Sequence, residues 1–309
     1  HNITLSSTTS GYTQGADTST ATEKWYGGVL TPSGKVVMIP SSYQYIGIYD
    51  PVTDTYTQGA DTSTAAYKWI GGVLTPSGKV VMIPYNYRYI GIYDPVADTY
   101  TQGADTTTAT KKWYGGVLTP SGKVVMIPSS YQYIGIYDPV TDTYTQGPGT
   151  STTGGKWIGG VLTPSGKVVM IPYYYQYIGI YDPVADTYTQ GADTTTATKK
   201  WYGGVLTPSG KVVMIPSSYQ YIGIYDPVTD TYTQGADTST AAYKWIGGVL
   251  TPSGKVVMIP SSYQYIGIYD PVTDTYTQGA DTSTAAYKWI GGVLTPSGNV
   301  VMIPSGYRY

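Results

Sequence analysis

The sequence predicts an all-β fold: one seven-bladed β-propeller of 44-residue four-stranded blades, closed by N-terminal strands that complete the C-terminal blade. Three observations carry this expectation. Seven tryptophans, Trp25, Trp69, Trp113, Trp157, Trp201, Trp245 and Trp289, stand 44 residues apart, and seven methionines from Met38 to Met302 keep the same interval. A period of this size is the mark of propellers and solenoids. Each unit carries four short runs rich in Val, Ile, Tyr and Thr, separated by clusters of Pro, Gly, Asp and Ser, and such alternation reads as strands and turns. Finally, the two ends of the chain are complementary halves of one unit. Residues 1–309 therefore read as a single domain, with the last blade shared between 2–15 and 289–309.

The first unit shows each element in order. "WYGGVLT" from Trp25 is strand A, and its glycines suit innermost strands crowded near an axis. Pro32-Ser33-Gly34 is a tight hairpin: proline presets its φ and glycine accepts a positive one. "KVVMIP" is strand B and "YIGIY" strand C, both apolar on each face, so a lone unit leaves one face wet and needs a neighbour on either side. Asp50-Pro51-Val52-Thr53-Asp54 is a turn in which the first aspartate bonds to amides beyond it and the proline stops the strand. "TYTQG" is strand D, and "ADTSTAAYK" links it to the next tryptophan.

The last unit ends at Tyr309, twenty residues after Trp289, so it holds strands A and B alone. Asn2 to Gly15 align, at an offset of 44, with Ile46 to Gly59; "YTQG" is shared, while "NITLSSTTS" replaces "IGIYDPVTD" as a degenerate third strand. Pairing the two ends removes the edges that an open array would expose.

"GGVLTPSGKVVMIP" followed by "YIGIYDPVTDTYTQG" resembles kelch-type blades, which join an apolar "GKxYxxGG" hairpin to a "YDPxTxxW" strand and turn. The chain departs from that pattern at Pro40-Ser41, where kelch blades have a double glycine, and at Tyr56, where they have tryptophan. It is more similar to uncharacterised tandem arrays with "GGVLxPxGKV" blades. The resemblance implies a propeller and no activity.

Composition narrows the function classes. Seventeen basic and nineteen acidic side chains leave a net charge of -2 with no basic cluster, against an electrostatic nucleic-acid partner. No apolar run approaches a bilayer span and the N-terminus lacks signal-peptide character, so a soluble chain without membrane insertion is expected, as a monomer. There is no cysteine and the only histidine is His1, which removes disulfides, thiolate zinc sites and Ser-His-Asp catalysis. Asp50 and Asp54 on one turn are the nearest approach to a paired-carboxylate or calcium site, and their recurrence in six units favours turn capping. The expectation is a non-enzyme with no cofactor and no metal site. Low charge, abundant Thr and Tyr and the "NIT" sequon at Asn2 favour an extracellular or cell-surface setting.

Differences between units concentrate in two places. After "IP" the chain reads Ser41-Ser42, Tyr85-Asn86, Ser129-Ser130, Tyr173-Tyr174, Ser217-Ser218, Ser261-Ser262 or Ser305-Gly306; before the tryptophan's lysine it reads Glu23, Tyr67, Lys111, Gly155, Lys199, Tyr243 or Tyr287. The B–C and D–A connections of a propeller emerge on one face, which is thus the adaptable one. Residues Tyr89 to Gly147 are identical to Tyr177 to Gly235, a patchwork that points to recent duplication of segments. Two functions are consistent with these features. One is a multivalent, lectin-like module that binds carbohydrate through Tyr43, Tyr87, Tyr131, Tyr175, Tyr219, Tyr263 and Tyr307, although the shared strand face of Tyr43, Tyr45, Gly47 and Tyr49 also suits packing between blades. The other is a scaffold that meets a protein surface and takes no small ligand, recently amplified or engineered.

Overall fold

A computed structural model describes residues 2–5 and 10–309. The N-terminal strands are β1 (Asn2–Leu5) and β2 (Ser10–Thr13), and the first complete blade is β3 (Trp25–Leu30), β4 (Val36–Pro40), β5 (Tyr45–Asp50) and β6 (Thr55–Asp61). The pattern repeats as β7–β10 (Trp69–Asp105), β11–β14 (Trp113–Gly149), β15–β18 (Trp157–Asp193), β19–β22 (Trp201–Asp237) and β23–β26 (Trp245–Asp281), and ends with β27 (Trp289–Leu294) and β28 (Val300–Pro304).

Local chemistry builds each blade as the turn residues require. Thr31 and Lys35 close the A–B hairpin through a 2.9 Å bond, with Gly34 at φ 86°. The C–D turn is held by the Asp50 carboxylate, which accepts the Val52 N–H at 2.9 Å. Strand A carries a bulge between Trp25 and Gly28, where Gly27 takes φ 83°, a region costly to any residue with a Cβ. The innermost strands meet at these glycines: a Cβ on Gly27 would lie 3.4 Å from Gly71 Cα, one on Gly71 3.2 Å from Gly115 Cα, and so on until Gly291 faces Gly27 at 3.5 Å. The ring of A strands is closed.

The expectation of seven equivalent four-stranded blades is corrected. Six blades are evenly spaced four-stranded sheets, each from one stretch of chain, and the remaining place in the ring is held by the two-stranded hairpin β27–β28. Strands β1 and β2 add to that hairpin in the order β2-β1-β28-β27, but β1 meets β28 through two residue pairs only, Asn2 with Val301 and Ile3 with Val300. Complete blades pair three here, with Val36 opposite Tyr49. The offset of 44 thus holds at Tyr12 and slips by two residues in β1, because Ile3, not Leu5, occupies the place of Tyr49. The physical reason is spacing along the chain: Ile3 and Tyr12 face each other nine residues apart in sequence, Tyr49 and Tyr56 seven. Residues 6–9 of the degenerate segment lie outside the described residues. The outer part of the seam is regular, with Tyr12 edge-on to Trp289 at 5.7 Å and Asp17 paired with Arg308.

The core lies between blades, as strands apolar on both faces require. Val29, Val37, Ile39 and Ile46 of one blade pack on Trp69, Val80, Met82 and Tyr93 of the next, and the seventh such cluster joins Trp25 to Val293, Val301 and Ile303. Trp69 is fully buried; at roughly 25 cal/mol per Å2 over an area of about 200 Å2, its burial is worth about 5 kcal/mol. Gly47 makes room for this, since a Cβ there would lie 2.8 Å from Trp25 and 2.7 Å from Met38.

On the B–C and D–A face, blades are tied by a closed backbone circuit. The Ser41 N–H donates to the Lys24 carbonyl at 2.8 Å and the Lys68 N–H to the Ser41 carbonyl at 3.0 Å; equivalent bonds alternate through every blade until the Lys24 N–H reaches the Ser305 carbonyl at 3.2 Å. Beside each bond is a fully buried lysine. Lys68 Nζ donates to the carbonyls of Tyr43 at 2.7 Å, Ser41 at 3.2 Å and Ala65 at 3.2 Å, so each of its three N–H donors has an acceptor. Burial lowers the Lys68 pKa from 10.5 to about 8.

Two outcomes follow for this fold. Gly71→Ala introduces a Cβ at a positive φ against Gly115, and urea denaturation is expected to show a loss of about 1–3 kcal/mol. The buried lysines bind protons less tightly than they do in the unfolded chain, so stability rises with pH above about 8 and that gain is lost as pH falls through it. Tyrosines with raised pKa, such as Tyr93, act oppositely once the unfolded chain ionises near pH ~10. The urea midpoint is therefore expected to climb between about pH 8 and 10 and to fall beyond it.

Candidate functional site

The seven residues between linker and lysine, Glu23, Tyr67, Lys111, Gly155, Lys199, Tyr243 and Tyr287, share one backbone conformation with φ between 51° and 63°. Only one is glycine, so six side chains sit where an L-residue costs roughly 1 kcal/mol. The backbone is held there by the neighbouring loop: the Tyr67 N–H donates to Ser42 Oγ at 3.1 Å and its carbonyl accepts the Asn86 N–H at 3.0 Å. These are positions where the copies of the repeat disagree, so the fixed backbone holds a variable set of side chains.

Beneath them, the second residue of strand A alternates around the axis: Tyr26, Ile70, Tyr114, Ile158, Tyr202, Ile246 and then Ile290. The three tyrosines reach over the intervening isoleucines to one another, Tyr26 to Tyr114 at 6.4 Å and Tyr114 to Tyr202 at 5.3 Å between ring centroids. Tyr85 stands edge-on to Tyr114 at 5.7 Å and Tyr173 to Tyr202 at 5.6 Å. Tyr202 keeps some accessible surface although protein atoms crowd it on all sides, and this burial raises its hydroxyl pKa far above the ordinary value. Higher up, Tyr173 and Tyr174 meet at 4.9 Å, Tyr243 and Tyr287 at 6.4 Å, and Lys199 Nζ donates to the Tyr243 hydroxyl at 2.5 Å. That bond raises the lysine's pKa, and the nearby Glu23 carboxylate raises that of the Tyr67 hydroxyl. Tyr287 is 57% and Tyr174 40% exposed. The result is an axial patch of tyrosine rings and neutral hydroxyls, with a carboxylate on one side and lysines on another.

The tyrosines expected to bind ligand lie elsewhere. Tyr43, Tyr87, Tyr131, Tyr175, Tyr219, Tyr263 and Tyr307 are half-buried, each edge-on to the tryptophan of its own blade at 5.3 to 5.5 Å. They are spaced one per blade and are not brought together. The sequence reading missed Tyr26, Tyr114 and Tyr202, although a signal was present: tyrosine follows the tryptophan where Glu or Lys occupies the positive-φ position, and isoleucine follows it where Tyr or Gly does.

The aspartate pair is engaged in structure. Asp54 Oδ1 accepts the Tyr49 hydroxyl at 2.7 Å and the Ala16 N–H of the preceding blade at 2.9 Å. The equivalent bond is missing between the third and fourth blades, where Pro148 has no N–H to offer Asp186. A groove of about 230 Å3 opens there beside Lys123, Tyr181 and Asp186, and one of about 190 Å3 lies between the second and third blades. Among the described residues no three His, Cys, Asp or Glu side chains are grouped closely enough to hold a metal ion, and no helix is long and apolar enough to cross a membrane.

No family model matches the chain and no curated protein matches it in sequence. Solved structures do. A streptogramin B lyase aligns over 94% of both chains at 13% identity with a TM-score of 0.78. A catalytically inactive virginiamycin B lyase from Staphylococcus aureus, in complex with quinupristin, aligns over 93% of this chain and 97% of its own at 12% identity and 0.76. Kuenenia stuttgartiensis hydrazine synthase aligns over 95% and 99% at 14% identity and 0.69. These likenesses establish the β-propeller fold and nothing finer, and the kelch-like motifs acquire no family assignment from them.

The packing of Tyr43 on Trp25 predicts that Tyr43→Ala loses about 2 kcal/mol of stability in urea denaturation whatever its effect on ligands, and that Tyr43→Phe loses little.

Proposed function

We propose that the chain is a non-enzymatic binding module whose ligand docks on the B–C and D–A face at the axial patch. The observation that carries this reading is convergence. The positions where near-identical copies of the repeat differ, Glu23, Tyr67, Tyr85, Tyr173, Tyr174, Lys199, Tyr243 and Tyr287, gather around one axis above Tyr26, Tyr114 and Tyr202. Exposed tyrosines on a rigid scaffold provide contact area at low entropic cost and a polar tip for hydrogen bonds. The patch breaks the symmetry of the ring, so it favours one ligand on the axis over seven equivalent sugars on the blades. The lyase activity of the structural neighbours does not transfer at such identity.

A scaffold that meets a protein surface is the second reading. It is favoured by six valines at the C–D turns, Val52, Val96, Val140, Val184, Val228 and Val272, which are 90% to 96% exposed.

Screening the folded chain against glycan and peptide arrays tests both. A ligand whose binding falls at least about tenfold in a Tyr174→Ala, Tyr287→Ala double variant supports the axial site. Binding lost instead when charge is introduced at the valine turns, by Val96→Glu and Val184→Glu, supports the scaffold.

A further inference from the structure

Glu23 is the only glutamate in the chain. It occupies one of seven backbone-equivalent positions around the axis, and its two neighbours in that ring are both tyrosines, Tyr67 in the next blade and Tyr287 in the preceding one. The ring neighbours follow from the closed circuit, in which the Lys24 N–H reaches Ser305 on one side while the Lys68 N–H reaches Ser41 on the other. Below Glu23 is Tyr26, whose hydroxyl has Glu23, Tyr67, Tyr85 and Tyr287 as its electrostatic neighbours. The nearby Glu23 carboxylate raises the pKa of the Tyr67 hydroxyl, and Tyr287 is 57% exposed. Among the lysines, Lys111 follows Tyr67 in the ring, and Lys199 lies two places beyond Tyr287, with its ammonium on Tyr243 and Tyr287 among its electrostatic neighbours.

A carboxylate flanked in the ring by two tyrosines, with Tyr26 three residues on, has the composition that recognises organic cations. The ring faces attract positive charge through their quadrupoles, the carboxylate supplies a full counter-charge, and a methylated ammonium sheds its weakly held water cheaply. A phosphate or carboxylate ligand is disfavoured in this sector, because Glu23 would repel it. A neutral sugar would use the rings and leave the carboxylate idle.

We infer that the Glu23 sector of the axial patch, formed with Tyr26, Tyr67, Tyr85 and Tyr287, is a site for a small quaternary or methylated ammonium group. The inference rests on the binding-module reading and names the ligand chemistry of the same patch. The repeat makes its own control, since the equivalent position in every other blade carries Tyr, Lys or Gly.

The experiment is calorimetric titration of the full chain with choline and with tetramethylammonium, beside 3,3-dimethylbutan-1-ol, the neutral isostere of choline. Both cations are expected to bind saturably, at one site per chain, in the millimolar range, and the isostere at least about fivefold more weakly. Glu23→Gln keeps the shape of the side chain and is expected to weaken choline about fivefold or more. Tyr287→Ala should weaken it similarly, and Tyr287→Phe, which keeps the ring, should not. The inference is overturned by no saturation up to about 100 mM cation, by equal binding of the isostere, or by Glu23→Gln leaving choline binding unchanged. If it is overturned while an array ligand still depends on Tyr174 and Tyr287, the cation chemistry fails and the axial binding site stands; if both are lost, the binding reading fails with it.

Discussion

The constraint on which the molecule depends is the junction of one buried lysine with the carbonyls of two blades. Lys68 is buried and gathers the Ala65, Ser41 and Tyr43 carbonyls, and a buried carbonyl left unpaired would cost about 1–3 kcal/mol. An apolar side chain of the same length would fill the space and leave the carbonyls orphaned. Placing the ammonium under the loop sets where each D–A linker enters its blade, and with it the positive φ of the residue before it. The tryptophan that follows is then fed into the interface with the preceding blade, its ring within 5.6 Å of the same ammonium. The stabilising burial of Trp69 offsets the desolvation of Lys68, and repetition sets the two against each other seven times.

The two faces of the ring divide the work between them. On the A–B and C–D side, Asp54 and its equivalents join blades with bonds from a tyrosine hydroxyl and a backbone amide, which leaves little freedom for sequence to change. The B–C and D–A side is tied by backbone circuit and lysine, so the outward side chains there can vary without breaking a tie. This is why near-identical repeats could diverge at Glu23, Lys111 or Tyr287 and still close. The binding proposal follows from this freedom as much as from the tyrosines themselves. Pro148 shows the reverse case, a change that removes one tie to Asp186.

The period, the Pro32-Ser33-Gly34 turn and the Asp50 turn were legible in the sequence, because each is a local pattern repeated until chance is excluded. The two-residue slip of β1 was not, since the degenerate N-terminal segment has no other copy to compare with. The lysines gave no sign of burial: a lone cation before a tryptophan reads as a solvated one until the three carbonyls around it are known. For Tyr43 and its equivalents, alternation along the strand left binding and packing both open, because it cannot say whether a ring meets solvent or the tryptophan beside it. The axial tyrosines were hidden differently. They differ from isoleucine at a single position in an apolar strand, and only the ring brings alternate blades into contact.

Seven is an odd number, and the alternation of tyrosine and isoleucine behind the tryptophans cannot close around an odd ring without a fault. The fault falls at Ile246 and Ile290, two like neighbours, and the same two positions of the ring carry rim tyrosines, Tyr243 and Tyr287, side by side. In an even ring the same two-blade pattern could run round without interruption, and every sector of the rim would present the same face. Here parity frustrates the pattern, and the frustrated sector adjoins the one carboxylate that the other copies lack. A repeat protein can in this way obtain a single distinct address from almost uniform parts, by a rule of counting that no individual blade contains.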